Sequence, residues 1–179
     1  LCARELELLK IRVPTICETI PSLRMPDAQQ LIFDRHGEDC REEPDLAPQH
    51  EAWLCHYAEQ ELGSEFVFIT HYPTAKRPFY AMPDDQEPSL TKSFDLLFRG
   101  CEIVTGGQRI HRYEQLLNNA RHWGVQPEAI AGYLQAFKYG MPPHGGFGMG
   151  LERLLMQIAE LGNLREATLF PRDIERLAP

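Results

Sequence analysis

SFDLLFRGCEIVTGGQRIH, residues 93–111, decides how this chain folds. Phe94, Leu96 and Phe98 alternate with Asp95, Leu97 and Arg99, the period of two that sends successive side chains to opposite faces of a pleated strand. A second strand-like run, Glu102 to Thr105, follows almost at once across Gly100. So short a link leaves no room for a helical crossover, so the two runs are read as antiparallel neighbours. Upstream, FVFITHY (Phe66 to Tyr72) and Phe79 to Met82 have the same aromatic and β-branched texture and are predicted to join the sheet.

Helical periodicity takes over on both sides. Downstream, Tyr113, Leu116, Leu117, Ala120 and Trp123 fall on one stripe of a helix that Gly124 ends. A second helix has Pro127 in its first turn, Ile130, Tyr133, Leu134 and Phe137 inward, and Gly140 just past its end. A third starts near Gly150, is expected to bury Leu151, Leu154, Leu155 and Ile158, and stops by Gly162. Before the sheet, Asp27 is the expected N-cap of a short helix with Ala28, Leu31 and Ile32 inward. The acidic, proline-broken residues 37–49 read as an exposed loop. A helix over about 48–62 then carries Trp53, Leu54, Tyr57 and Ala58. The predicted class is α+β, an antiparallel β-sheet flanked by helices. Residues 1–65 form a helical and loop segment, and residues 66–179 hold the sheet and its site.

A chain of 179 residues with 43% hydrophobic side chains can bury one sizeable core and not two. Arg4, Glu5, Glu7, Lys10 and Arg12 interrupt the leucines of the first dozen residues, so no secretory signal is expected. No apolar run approaches the roughly 20 residues that cross a bilayer; a soluble, cytoplasmic protein without a membrane partner is predicted. Five cysteines, an odd number without a C-x-x-C pair, are read as reduced thiols. The net charge of −8 disfavours a surface that grips polyanions throughout.

Two constellations carry chemistry. In the first, Asp95 and Glu102 lie on consecutive strands and can reach one hard cation, with Thr105 adding a hydroxyl oxygen. The same carboxylates could instead pair with Arg99 or Arg109. Gly106 and Gly107 are read as a flexible pair that delivers Arg109, whose planar fork matches a carboxylate; the alternative is a surface turn with a solvated arginine. The second constellation is GMPPHGGFGMGLERLL, residues 140–155. Its glycines at 145, 146, 148 and 150 let a backbone approach a ligand, and the helix that follows offers N–H groups to anions, with Arg153 in its first turn. A tight packing joint is the other reading. Neither a P-loop nor a G-x-G-x-x-G fingerprint is present. His111 and His144 could touch substrate or make a structural hydrogen bond. Lys76 is read as solvated, and Phe66, Phe68, Phe79 and Phe94 as core.

Four blocks in order, FVFITHYPTAKRPFYAMPDD (66–85), residues 93–111, FKYGMPPHGGFGMGLERLLM (137–156) and LFPRDIERLAP (169–179), closely resemble the C-terminal end of class II aminoacyl-tRNA synthetases of the archaeal and eukaryotic aspartyl type. GMGLER resembles their motif 3. The resemblance implies ATP as substrate, Mg²⁺ as cofactor, aspartate as the amino acid, tRNA as partner and a homodimer. It implies that Glu102 and Thr105 hold Mg²⁺ and ATP, with Asp95 nearby, and that Arg109 and Thr105 meet aspartate. Gly150, Leu151, Glu152 and Arg153 would cradle ATP, with Arg153 on its phosphates. A serine is common in the family where Thr105 stands, but the hydroxyl is kept.

Motif 1, motif 2 and an anticodon-binding barrel are not recognisable in the sequence. The expected activity is therefore that of an aspartate–tRNA ligase of which this chain supplies a C-terminal part, inactive alone and prone to self-association. A synthetase-like paralog acting as a binding or regulatory module is one alternative. Another is a relative that activates aspartate with ATP to make asparagine.

Overall fold

A computed structural model describes residues 2–176; the end of the last resembling block, residues 177–179, lies outside them. The strand pair of the opening stretch is present: β3 (Ser93–Phe98) and β4 (Cys101–Arg109) run antiparallel, Phe98 opposite Cys101. Arg99 and Gly100 make the two-residue turn, both with positive φ (46° and 91°), as a tight hairpin demands. β4 runs on through Gly106 and Gly107, well past the predicted end at Thr105. A bulge between Leu96 and Leu97 leaves Ile103 without an opposite partner, yet Glu102 stays opposite Leu97 and Thr105 opposite Asp95.

The sheet has five strands in the order β1 (Ser22–Arg24), β2 (Phe66–Thr70), β3, β4 and β5 (His144–Met149). It is mixed rather than wholly antiparallel, because β1 pairs with β2 in parallel. The crossover that a parallel pair requires is supplied by α2 (Met25–His36) and α3 (Pro48–Glu61). Arg24 rather than Asp27 is the N-cap of α2, and Asp27 lies in its first acidic turn. The predicted strand at Phe79–Met82 is absent. Pro78 and Pro83 bracket that segment and withhold donors, leaving bridges such as Ala81 to Arg109. β5 is a further surprise, since its glycine run pairs in register with β4 from Val104–Met149 to Arg109–His144.

Two apolar layers enclose the sheet. On one face Val67, Ile69 and Leu97 pack with Met25, Ala28 and Ile32 of α2 and Leu54 and Ala58 of α3. On the other, Phe66, Phe98, Ile103 and Val104 meet Leu154 and Ile158 of α6 (Leu151–Ile158). Each fully buried leucine or phenylalanine contributes roughly 1.5–3 kcal/mol relative to exposure. A third cluster joins Ile110 to Leu116 of α4 (Tyr113–His122) and to Leu134 and Phe137 of α5 (Ala131–Lys138). The remaining helix, α1 (Ala3–Leu8), has no buried residue. The expectation that α6 buries four leucine and isoleucine side chains is not met: Leu151 and Leu155 are 68% and 43% exposed, and Leu154 and Ile158 are only partly buried. No helix among the described residues is long and apolar enough to cross a membrane.

Candidate active site

β4 carries the site because its two neighbours differ. β3 brings Asp95 opposite Thr105, and β5 brings glycines opposite Thr105, Gly107 and Gln108. Side chains on β5 would fill the space over β4, and without them a cleft of about 420 Å³ opens there, with Arg77, Tyr80, Thr105, Arg109 and Phe147 in its wall. Gly106 and Gly107 are strand residues, neither the flexible pair predicted nor the alternative surface turn. A Cβ at Gly106 would stand 2.7 Å from Phe147 Cβ and 2.8 Å from the Gly146 carbonyl oxygen, and one at Gly107 2.8 Å from Ser93 Cα. Their missing side chains allow close packing of β3, β4 and β5.

Arg109 closes one end of the cleft. Its guanidinium lies 4.9 Å from the centre of the Tyr80 ring and beside Tyr133, whose ionisation burial pushes up and Arg109 pulls back. No carboxylate among the described residues pairs with Arg109, which lines the cleft.

At the other end stands Arg77, which sequence reasoning passed over beside Lys76. Its Nη2 donates to Asp95 Oδ2 at 2.6 Å and its Nη1 to Thr105 Oγ1 at 3.0 Å. The guanidinium lies 3.8 Å over the Tyr72 ring. Burial and the nearby Asp95 charge raise the pKa of Tyr72. The signal in the sequence was the arginine fixed before Pro78 in an aromatic segment, where a cation has rings to lie on.

Glu102 projects from β4 toward α6. Burial, then the charge of Asp95, raises its carboxyl pKa, against the pull of Arg153 and Arg77. Arg153 donates to the Glu102 carbonyl oxygen at 2.9 Å and holds its carboxylate more loosely, at 3.6 Å. A second carboxylate missed in the sequence, Glu51 of α3, accepts the Glu102 backbone N–H at 3.0 Å. Its pKa too is raised, first by burial and also by Glu102 and Asp95. Glu51 stands on the inward stripe that holds Leu54, Cys55 and Ala58, and a carboxylate on such a stripe was the available clue.

These placements bear on the implied Mg²⁺. Glu102 is a half-buried anion with too little positive charge around it, the condition a bound cation relieves. Asp95 and Thr105 are differently placed, since Arg77 holds both. Among the described residues no three His, Cys, Asp or Glu side chains gather into a metal site of their own. A cation shared with substrate phosphates needs only one or two protein carboxylates, and Glu102 fits that demand.

Gly150 is the N-cap of α6 and Arg153 lies in its first turn, against Gly150. Gly150, Glu152, Arg153, Arg165 and Arg172 border a second hollow of about 430 Å³, rich in guanidinium groups. His144 Nδ1 lies 3.0 Å from the Pro142 carbonyl oxygen, while His111 Nδ1 is buried without a partner among the described residues.

The profile of the tRNA synthetases class II (D, K and N) family matches residues 4–174. The chain belongs to this family. Within it, the aspartate–tRNA(Asp/Asn) ligase of Aeropyrum pernix is 49% identical over 177 residues, which are 98% of this chain and 40% of that protein. The class II chain described here thus spans about 40% of the length of its curated relatives. Among solved class II structures, the aspartyl-tRNA synthetase of Entamoeba histolytica aligns with a TM-score of 0.87 at 34% identity, over 94% of this chain and 34% of that one. The asparaginyl-tRNA synthetase of Pyrococcus horikoshii complexed with asparaginyl-adenylate gives 0.87 at 30% identity, over 98% and 40%.

Proposed function

We propose that this chain is the amino-acid-selecting, phosphate-facing part of an aspartate–tRNA ligase, with residues 1–65 supplying β1 and the helices behind the sheet and residues 66–179 bearing most of the site. The observation that carries the reading is Arg109, a cation without a carboxylate partner among the described residues, at the end of a cleft sized for a small ligand. A guanidinium fork pairs with a side-chain carboxylate and gains no charged pair from an amide, so it favours aspartate over asparagine.

In the proposed reaction the α-carboxylate of aspartate attacks the α-phosphorus of ATP, pyrophosphate leaves, and the aspartyl group passes to the terminal adenosine of tRNA. No enzyme nucleophile is needed, and the contribution of the protein is position and charge. Arg109 holds the side-chain carboxylate, and Thr105 offers its hydroxyl to the same substrate. The turn Gly150-Leu151-Glu152 brings Arg153 to the phosphates. Glu102 would hold Mg²⁺, which when bound neutralises phosphate oxygens. The complete protein is proposed to be a cytoplasmic homodimer.

Aspartate-dependent exchange of pyrophosphate into ATP tests this, run on the 179-residue chain and on the longest polypeptide its gene encodes, with asparagine as control. The expected result is exchange by the longer polypeptide, selective for aspartate and lowered on the order of a hundredfold by Arg109→Met. Silence of both polypeptides would sink the ligase reading and favour a synthetase-derived binding module.

A further inference from the structure

Arg77 and Arg109 are the charged side chains of the cleft wall, and their surroundings are unequal. Arg109 has no anionic partner among the described residues. Arg77 has Asp95 directly behind it, with side-chain exposures of only 15% and 6%. Of the two guanidinium groups in the wall, Arg77 is thus paired by a buried carboxylate and Arg109 is the one without a carboxylate partner among the described residues.

We propose that Arg77 is a positioning residue that sets this charge balance and orients the Thr105 hydroxyl, so that the cleft accepts a small ligand bearing one side-chain carboxylate. The inference rests on the aspartate-activating reading and deepens it. The Arg77 N–H occupies one lone pair of Thr105 Oγ1 at 3.0 Å. The hydroxyl hydrogen must then turn away from the guanidinium, and Thr105 is exposed on the cleft side. Thr105 becomes a donor aimed at a ligand oxygen. The Tyr72 ring beneath the guanidinium, at 3.8 Å, keeps the arginine in place.

Removing the arginine should do more than loosen a loop. Asp95 would be left as a buried anion without its partner, facing an anionic ligand. In the longest polypeptide, Arg77→Gln is expected to raise KM for aspartate in pyrophosphate exchange on the order of a hundredfold, with a much smaller change in kcat. Arg77→Lys keeps the charge but cannot reach both oxygens with a planar fork, and should fall between. The deciding variant is Arg77→Gln with Asp95→Asn. It removes the arginine and the anion together and should recover at least about tenfold of the lost aspartate KM. Thermal unfolding of each variant shows whether it folds. If Arg77→Gln does not, the lysine and double variants carry the comparison with the unsubstituted protein. A double variant as impaired as Arg77→Gln, or equal losses in KM and kcat throughout, would overturn the inference and leave Arg77 a structural brace. Absence of exchange in the unsubstituted polypeptide would instead sink the parent reading and this one with it.

Discussion

Glu102 and Glu51 are two under-neutralised carboxylates in one neighbourhood, the Glu51 carboxylate accepting the backbone N–H of Glu102. Burial is the first cause of both raised pKa values, and each is pushed further by a neighbouring anion. A carboxyl whose pKa rises on folding binds its proton more tightly in the folded state. It therefore favours folding while protonated, and that contribution is lost as pH climbs from the ordinary glutamate value through the raised one. Glu102→Gln removes this cost and also relieves Glu51. A rise in Tm of about 2–4 °C at pH 7 is expected, modest because solvent still reaches the group. The gain should vanish below about pH 4, where the native carboxyl is itself protonated. Melting both proteins across that range tests the sign. A lower Tm for the variant at pH 7, or a gain independent of pH, would show that Arg153 already compensates the charge. A stabilising substitution that abolishes exchange is the signature of a residue kept for function.

At the scale of elements, the β4–β5 pair is where glycine decides the architecture. A methyl group at Gly106 meets Phe147 Cβ and the Gly146 carbonyl oxygen below 3 Å, whereas at Gly148 nothing lies within 4 Å. Gly106→Ala should therefore cost on the order of 1–3 kcal/mol and separate β5 from β4, while Gly148→Ala should be neutral or slightly stabilising. Chemical denaturation together with amide exchange along β4 distinguishes them; equal effects at the two positions would contradict the packing described. These strands also mark how far the sequence could be read. The alternation of Phe94, Leu96 and Phe98 against Asp95 and Leu97 was legible because burial enforces a period of two. β5 was not, since a strand built on glycine has little side-chain pattern, and its pairing depends on the equally bare Gly106 and Gly107 opposite. The parallel β1 was hidden for another reason: its three residues gain their place through a crossover of two helices, a long-range relation that local pattern does not encode. In the site, the glycine-rich settings of Arg109 and Arg153 drew attention to them, and the family resemblance gave them roles. Arg77 and Glu51 left only faint local signals, because what gives them meaning is Asp95 and Glu102 across the fold.

For the whole molecule, the unequal covering of the sheet's two faces sets the expected behaviour in solution. The face under α2 and α3 is closed, with Val67, Ile69 and Leu97 fully buried. Around β5 and α6, Phe147, Leu151, Leu169 and Phe170 are 68%, 68%, 88% and 62% exposed, and Met149 and Leu155 are partly so. β5 is also the last strand in the sheet order, so one of its edges carries unpaired backbone groups beside this apolar surface. Relatives of which this chain spans about 40% have further chain that could cover such a surface. The 179-residue polypeptide must cover it in some other way, and a second copy is the cover always at hand. Sedimentation velocity over a range of concentrations should show species heavier than the 20.6 kDa monomer, increasing with concentration. Phe147→Ser combined with Leu151→Gln should shift the distribution back to monomer, since both side chains already face water and leave the folded core unchanged. A monomer at every concentration would mean that scattered apolar side chains, not a cohesive patch, make up this surface. Association that persists in the double variant would move the contact to the backbone edge of β5, where the glycine run gives little defence against strand addition.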